Sequence, residues 1–121
     1  MADRDEIQAL QVGYAEKFDA RDAEAFANLF TDNGVMVPPG MREIVGREKL
    51  IKAVRNMPPG GTHYPQEVEI EINGHEAIAS CRYLAEMPDG SQHQGSYKDK
   101  YLRTSKGWRI LRREVLPDST K

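Results

Sequence analysis

The stretch Glu67-Val68-Glu69-Ile70-Glu71-Ile72-Asn73-Gly74 decides the fold class. Val68, Ile70 and Ile72 alternate with three glutamates, the period-two pattern of a strand with one face on a core and the other in water. Asn73-Gly74 supplies the residues of a type I′ hairpin turn, both of whose central positions take positive φ. A second long strand is expected over residues 75–87, with Asp89-Gly90 as another such turn. A third follows over residues 93–104, ends at Ser105-Lys106-Gly107, and hands over to a last strand from Trp108 to about Val115.

Upstream of Thr62 the apolar period is helical instead. Ile7, Leu10, Tyr14 and Phe18, with Ala15 on the same stripe, make residues 5–19 an amphipathic helix. Asp22 is suited to cap a second helix that carries Phe26, Leu29 and Phe30 inward and stops near Asn33-Gly34. Val35 to Val37 reads as a short strand ended by Pro38-Pro39, and Ile44-Val45 as another extended piece. Leu50, Ile51, Val54 and Met57 mark a third helix, stopped by Pro58-Pro59-Gly60-Gly61. Helices first and a meander of long antiparallel strands second is an α+β order.

The 121 residues fit one domain, 1–121, with residues 117–121 expected as a loose tail. With 17 basic and 19 acidic residues the net charge is −2, which leaves no electrostatic footprint for nucleic acid. No apolar run is long enough to span a bilayer, and the polar start lacks a signal-peptide core, so a cytoplasmic protein without a membrane partner is expected. The one cysteine, Cys81, excludes an internal disulfide, and the three histidines are too scattered for a zinc motif. Without a glycine-rich phosphate loop or a ligand cluster, neither metal nor organic cofactor is expected.

Counting outward from a two-residue Asp89-Gly90 turn sets Arg82 opposite Tyr97, Ser80 opposite Asp99, Ile78 opposite Tyr101 and Glu86 opposite His93. That face mixes aromatic, apolar and ionisable groups, as a small-molecule pocket does. It reads equally as a solvated or dimer-forming face. Arg112 and Arg113 are neighbours on the last strand and must point to opposite sides; the sequence leaves open which one turns inward.

Several segments carry a family likeness: Tyr14-Ala-Glu-Lys-Phe-Asp19, Leu29-Phe30-Thr31-Asp32, Gly46-Arg-Glu-Lys-Leu-Ile51 and Thr62-His63-Tyr64, then Gly95-Ser-Tyr97-Lys-Asp99-Lys-Tyr101 and Gly107-Trp108-Arg109-Ile110. Together they resemble the SnoaL-like, nuclear-transport-factor-2-like family over nearly the whole chain. The resemblance implies a cone-shaped curved antiparallel sheet wrapped by three N-terminal helices around a pocket. It also implies a homodimer and a small, largely apolar organic ligand.

In the dehydratase and dehydrochlorinase branches, an Asp late in the first helix orients a His at the start of the first long strand, and that His removes a substrate proton. Asp19 and His63 stand at the matching positions. Imidazole titrates near neutrality, and a carboxylate on one nitrogen fixes its tautomer. Tyr14 matches a hydroxyl donor of the bile-acid dehydratase branch, and Asp99 resembles the strand acid of ketosteroid isomerase. That isomerase's base, a carboxylate just before a Pro in the first short strand, has no counterpart at Val37-Pro38-Pro39. The second catalytic His of scytalone dehydratase falls at Met87, with His93 across the turn.

The resemblance therefore implies a cofactor-independent lyase or isomerase, with His63 as base, Asp19 as its orienter, Tyr14 as donor and Asp99 beside them; the counted register adds Arg82, Tyr97 and His93 around the substrate. The alternative is a non-catalytic binding or dimerising module. In that case Tyr14 is core packing, Asp19 a helix-end residue and His63 an exposed one.

Overall fold

The computed structural model describes residues 2–56 and 61–118. Three helices, α1 (Asp3–Asp19), α2 (Ala23–Ala27) and α3 (Arg47–Asn56), are interleaved with two short strands, β1 (Phe30–Val37) and β2 (Ile44–Val45). Four long strands follow: β3 (Thr62–Asn73), β4 (Glu76–Glu86), β5 (Gln92–Thr104) and β6 (Gly107–Pro117). They form one curved sheet in the order β2-β1-β6-β5-β4-β3, antiparallel throughout except for β1 against β6. The class is α+β, as the order of periods implies.

The core lies between α1 and the inner face of the sheet. Ile7, Leu10 and Tyr14 of α1 are buried against it with Phe26 of α2 and Trp108 and Ile110 of β6. On β4, next to the edge strand β3, the inward residues are Ala77, Ala79, Cys81, Tyr83 and Ala85. Tyr83 apart, these side chains are small and let the helix layer approach the sheet, and each large apolar group sealed between the layers contributes about 1.5–3 kcal/mol.

Local chemistry departs from the expected pattern at four places. The second helix stops at Ala27 rather than Asn33-Gly34, because Phe30 already pairs with Ile110 as the first residue of β1. Gly34 lies within that strand, where a Cβ would sit 2.8 Å from the Cβ of Phe30.

The β3–β4 turn is centred one residue later than expected, on Gly74-His75. Only Gly74 takes positive φ (64°), as in the II′ turn that places glycine first. The β4–β5 loop holds residues 88–90 rather than two residues. Pro88 favours the first central position of a type I turn, Gly90 donates its N–H to Met87 O (2.9 Å), and Gly90 itself is left-handed at φ 88°.

This extra residue moves the register by one, so Cys81 pairs with Tyr97, Ala79 with Asp99, Ala85 with His93 and Arg82 with Ser96. Tyr97, Asp99, Tyr101 and His93 stay on the inner face, while Arg82, Ser80 and Ile78 go to the outer one. The expected tail also begins too early. Pro117 pairs with Gly95, and Asp118 donates its N–H to Gln94 O at 3.0 Å. Met57 and the break at residues 58–60 lie outside the described residues.

Two bulges then decide which side chains face inward. Between Pro65 and Val68, β3 has one residue more than β4, so His63 and Pro65 join Val68, Ile70 and Ile72 on the inner side. Without that bulge His63 would point outward. In β6, Leu111 is the extra residue between Ile110 opposite Tyr101 and Arg112 opposite Lys100, and the shift turns Arg113 inward opposite Asp99.

Candidate active site

Asp19 ends α1, where the helix dipole opposes a negative side chain by about 0.3–1 kcal/mol. Two hydrogen bonds to one residue offset that cost. Asp19 Oδ2 accepts the backbone N–H of His63 at 2.7 Å, and Oδ1 lies 2.7 Å from His63 Nδ1. An ionised carboxylate only accepts, so in a neutral imidazole held this way the proton sits on Nδ1 and the lone pair on Nε2. Both side chains are about four-fifths buried, at 20% and 18% exposure. The edge of Phe18 meets the imidazole at a centroid distance of 5.9 Å.

His63 lies at the wall of a cavity of about 300 Å³ between α1 and the inner face of the sheet. Tyr14, Phe18, Met36, Pro38, Pro39, Tyr83, Met87, His93, Tyr97, Val115 and Pro117 complete most of its lining, with Ala85 between the two histidines. His63 and His93 both pair with Ala85 from opposite sides, so its small methyl leaves open space between them. Volume and composition are those of a small-molecule site. A larger hollow of about 620 Å³ lies on the outer face, lined by Glu69, Glu71, Lys98, Lys100, Arg112 and Glu114 among others. It holds no histidine or tyrosine.

The hydroxyl of Tyr14 points at Met36 Sδ, 3.4 Å away, a weak acceptor for a strong donor. Burial pushes its pKa up to about 12, against the pull of the Arg113 cation. Burial likewise raises Tyr97 well above the usual phenol range. Both phenols therefore remain donors at neutral pH. Tyr83 stacks on Tyr97 at 4.7 Å and 26° and lies over Gly95, where a Cβ would come within 2.5 Å of its hydroxyl.

Beneath the cavity, Arg113 and Asp99 form a fully buried pair. Nε donates to Oδ1 at 2.8 Å and Nη2 to Oδ2 at 2.6 Å, while Tyr101 donates its hydroxyl to Oδ2 at 2.7 Å. Burial disfavours the Arg113 charge, but the Asp99 carboxylate outweighs this and holds the guanidinium protonated. Its carbon sits 3.9 Å from the ring centre of Tyr97 and 4.4 Å from that of Tyr14.

The structure therefore brings together Tyr14, Asp19, His63, Tyr97 and His93, all expected from the sequence. Asp99 is occupied by Arg113 and Tyr101 below the wall. Arg82 is corrected outright: it lies on the outer face, bonded to Asp118 and Ser96, because the loop of residues 88–90 shifts its strand. Tyr83 and Met36 line the cavity without being expected there, and Phe18 was expected only as part of the apolar stripe of α1. A three-residue loop count would have found Tyr83.

Among the described residues no cluster of three or more His, Cys, Asp or Glu is placed to hold a metal ion, and no helix is long and apolar enough to cross a membrane.

Among solved structures, an NTF2-like protein with a cystatin-like fold from Novosphingobium aromaticivorans superposes with a TM-score of 0.89 at 24% identity, covering 98% of this chain and 84% of its own. A hexachlorocyclohexane dehydrochlorinase, LinA type 2, does so with a TM-score of 0.80 at 18% identity over 96% and 85% of the two chains. A candidate scytalone dehydratase from Novosphingobium aromaticivorans gives 0.76 at 18% over 93% and 82%. At such identities these likenesses show the fold alone. No curated protein matches the chain. The SnoaL-like domain family matches residues 1–114, and the chain belongs to that family.

Proposed function

We propose that this chain is a lyase- or isomerase-type enzyme that removes a proton from carbon in a small, neutral, largely apolar molecule. The observation that supports the reading is the double grip of Asp19 on His63 at the cavity wall. Nε2 of His63 takes the proton, the C–H electron pair stays on the substrate, and the charge spreads to a conjugated oxygen. The hydroxyls of Tyr14 and Tyr97 donate to that oxygen. The intermediate then expels a group from the neighbouring carbon, or takes the proton back elsewhere from the imidazolium. In this reading His93, paired with Ala85 on the side opposite His63, is the group that gives a proton to a departing hydroxyl. General base catalysis contributes roughly 10²–10⁴-fold and each preorganised donor about 10²–10³-fold.

A neutral substrate follows from the charges. The cavity lining contains neither Lys nor Arg, and Arg113 beneath it is engaged by Asp99. The test needs no known product. Small cyclic ketones and their β-hydroxy derivatives are incubated with the protein in D₂O, and α-C–H exchange is followed by proton NMR. Exchange by the natural chain and its loss in His63→Ala is the expected result. Equal exchange by the variant would sink the mechanism. A purely passive pocket would show instead ligand binding without exchange, at an affinity indifferent to imidazole ionisation.

We also infer that a second copy covers the outer face. Glu69 and Glu71 on β3 and Lys98 and Lys100 on β5 flank Ile78 of β4, which is 51% exposed. A two-fold axis near Ile78 sets the acids of one copy against the bases of the other. A monomer by light scattering at working concentration overturns this.

A further inference from the structure

We propose that Arg21 is a positioning residue for the Asp19–His63 pair. This rests on the proton-abstraction reading above. Arg21 is the one non-glycine residue with positive φ, 60°, among the described residues. The left-handed region costs an L-residue with a Cβ about 1–2 kcal/mol, so a long cationic side chain there requires a compensating contact.

The contacts are two. The guanidinium donates from Nη1 to Val54 O at 2.8 Å, near the C-terminal end of α3, and its carbon lies 5.5 Å from the ring centre of Phe18. Phe18 is the residue just before Asp19; it lines the cavity and meets the His63 ring edge-on.

The backbone around Arg21 closes α1. Ala20 donates to Glu16 O, Arg21 to Phe18 O and Asp22 to Lys17 O, all at 3.0 Å. The helix end therefore stops one residue after Asp19, at a turn whose handedness any glycine would take without cost. What glycine cannot supply is the side chain that ties the end of α1 to α3 and presses on Phe18. Asp19 leaves the helix between Phe18 and that turn, and its two oxygens must reach two separate nitrogens of His63. A small rotation of the last turn of α1 breaks at least one of those bonds.

If Arg21 were only a turn residue, Arg21→Gly would relieve the backbone and change nothing at His63. The positioning role makes the opposite forecast, and imidazole nitrogen NMR of the full-length chain separates the two. The natural protein should show His63 as the single Nδ1–H tautomer with a slowly exchanging Nδ1 proton. Arg21→Gly should stay folded, with an unchanged or higher melting temperature. Its His63 should populate both tautomers, and its Nδ1 proton should exchange roughly tenfold faster or more, as loss of one ordinary hydrogen bond implies. Arg21→Lys keeps the charge over Phe18 and a donor toward Val54 O, and should recover the natural signature in large part.

A folded Arg21→Gly with the natural His63 signature overturns the proposal. So does an unfolded one, since Arg21 would then support the whole fold rather than the pair. A natural chain without the Nδ1–H tautomer would instead refute the catalytic reading itself, a distinct failure.

Discussion

Arg113 and Asp99 are both sealed from solvent, and they face each other only because Leu111 is an extra residue in β6. The guanidinium uses two donors on the carboxylate and rests against the rings of Tyr14 and Tyr97. The pair thus forms the floor on which two cavity tyrosines stand. Removing one partner strands the other charge in a medium that cannot solvate it. Arg113→Met should cost about 3–5 kcal/mol in urea unfolding, while pairing it with Asp99→Leu should recover a large part of the loss. A single variant as stable as the natural chain would show that the pair is not desolvated.

Asp19→Asn keeps the shape of the carboxylate but can present an N–H to His63 Nδ1. That favours the tautomer with its proton on Nε2, which removes the lone pair proposed to act as base. Proton exchange in D₂O should fall roughly 10²–10⁴-fold, with binding of the same ketone little changed. A drop in binding with the exchange rate intact at saturation would assign Asp19 to ligand recognition instead.

Tyr14 gives a pH signature with a definite sign. Burial lifts its pKa to about 12 in the folded chain, whereas an unfolded chain releases the proton near ~10. Between those values the unfolded state binds fewer protons than the native one, so stability falls as pH rises from ~10 through ~12 and is unaffected below that window. Tyr14→Phe should flatten this alkaline decline, as read by thermal unfolding against pH. Tyr97, raised in the same direction, keeps part of it. The same substitution removes one donor to the proposed oxyanion and should slow exchange about 10²–10³-fold at neutral pH.

Gly95 holds cavity volume open for Tyr83. A methyl there would lie 2.5–2.6 Å from the Tyr83 hydroxyl and ring, so the ring must swing off the β5 backbone, away from its stack on Tyr97. Gly95→Ala should cost about 1–3 kcal/mol by overpacking. It should also shrink the largest ketone accepted, while small ketones still exchange. An unchanged size limit would mean that the ring moves away from the cavity rather than into it.

The fold was legible where periodicity alone decides. The stripe of Ile7, Leu10 and Tyr14 and the alternation of Val68, Ile70 and Ile72 lie in α1 and β3 as expected. Asp19 and His63 were legible through their residue types and the family likeness. Periodicity alone could not show that they meet, as the likeness implied, since His63 faces inward only through the β3 bulge, and a bulge leaves no mark on an alternating pattern. Register failed for a nameable reason: Pro88 takes the first central position of a longer turn, and one added residue exchanges the two faces of β4 relative to β5. Arg112 and Arg113 stayed ambiguous because the Leu111 bulge decides between them. Phe30 extended the apparent second helix because a buried strand residue and a buried helix residue look alike over a short run, and Leu29, half-buried in the turn before it, adds to the same apolar run.

That register is open to a direct test through Arg82. Under a two-residue Asp89-Gly90 turn its guanidinium would share a face with Tyr97 and Asp99 and reach the ligand. In the structure it lies across the sheet, bonded by Nη1 and Nη2 to Asp118 at 2.9 and 2.6 Å and by Nη1 to Ser96 at 3.0 Å. Its side chain is 36% exposed and that of Asp118 46%, so salt screens the pair and its net contribution is small. Arg82→Ala should therefore leave the D₂O exchange rate, the ketone size limit and the His63 tautomer where they are. Any stability change should fade as ionic strength rises. A large loss of exchange in Arg82→Ala, with the melting temperature held, would put Arg82 back in the cavity and return β4 and β5 to the shorter turn.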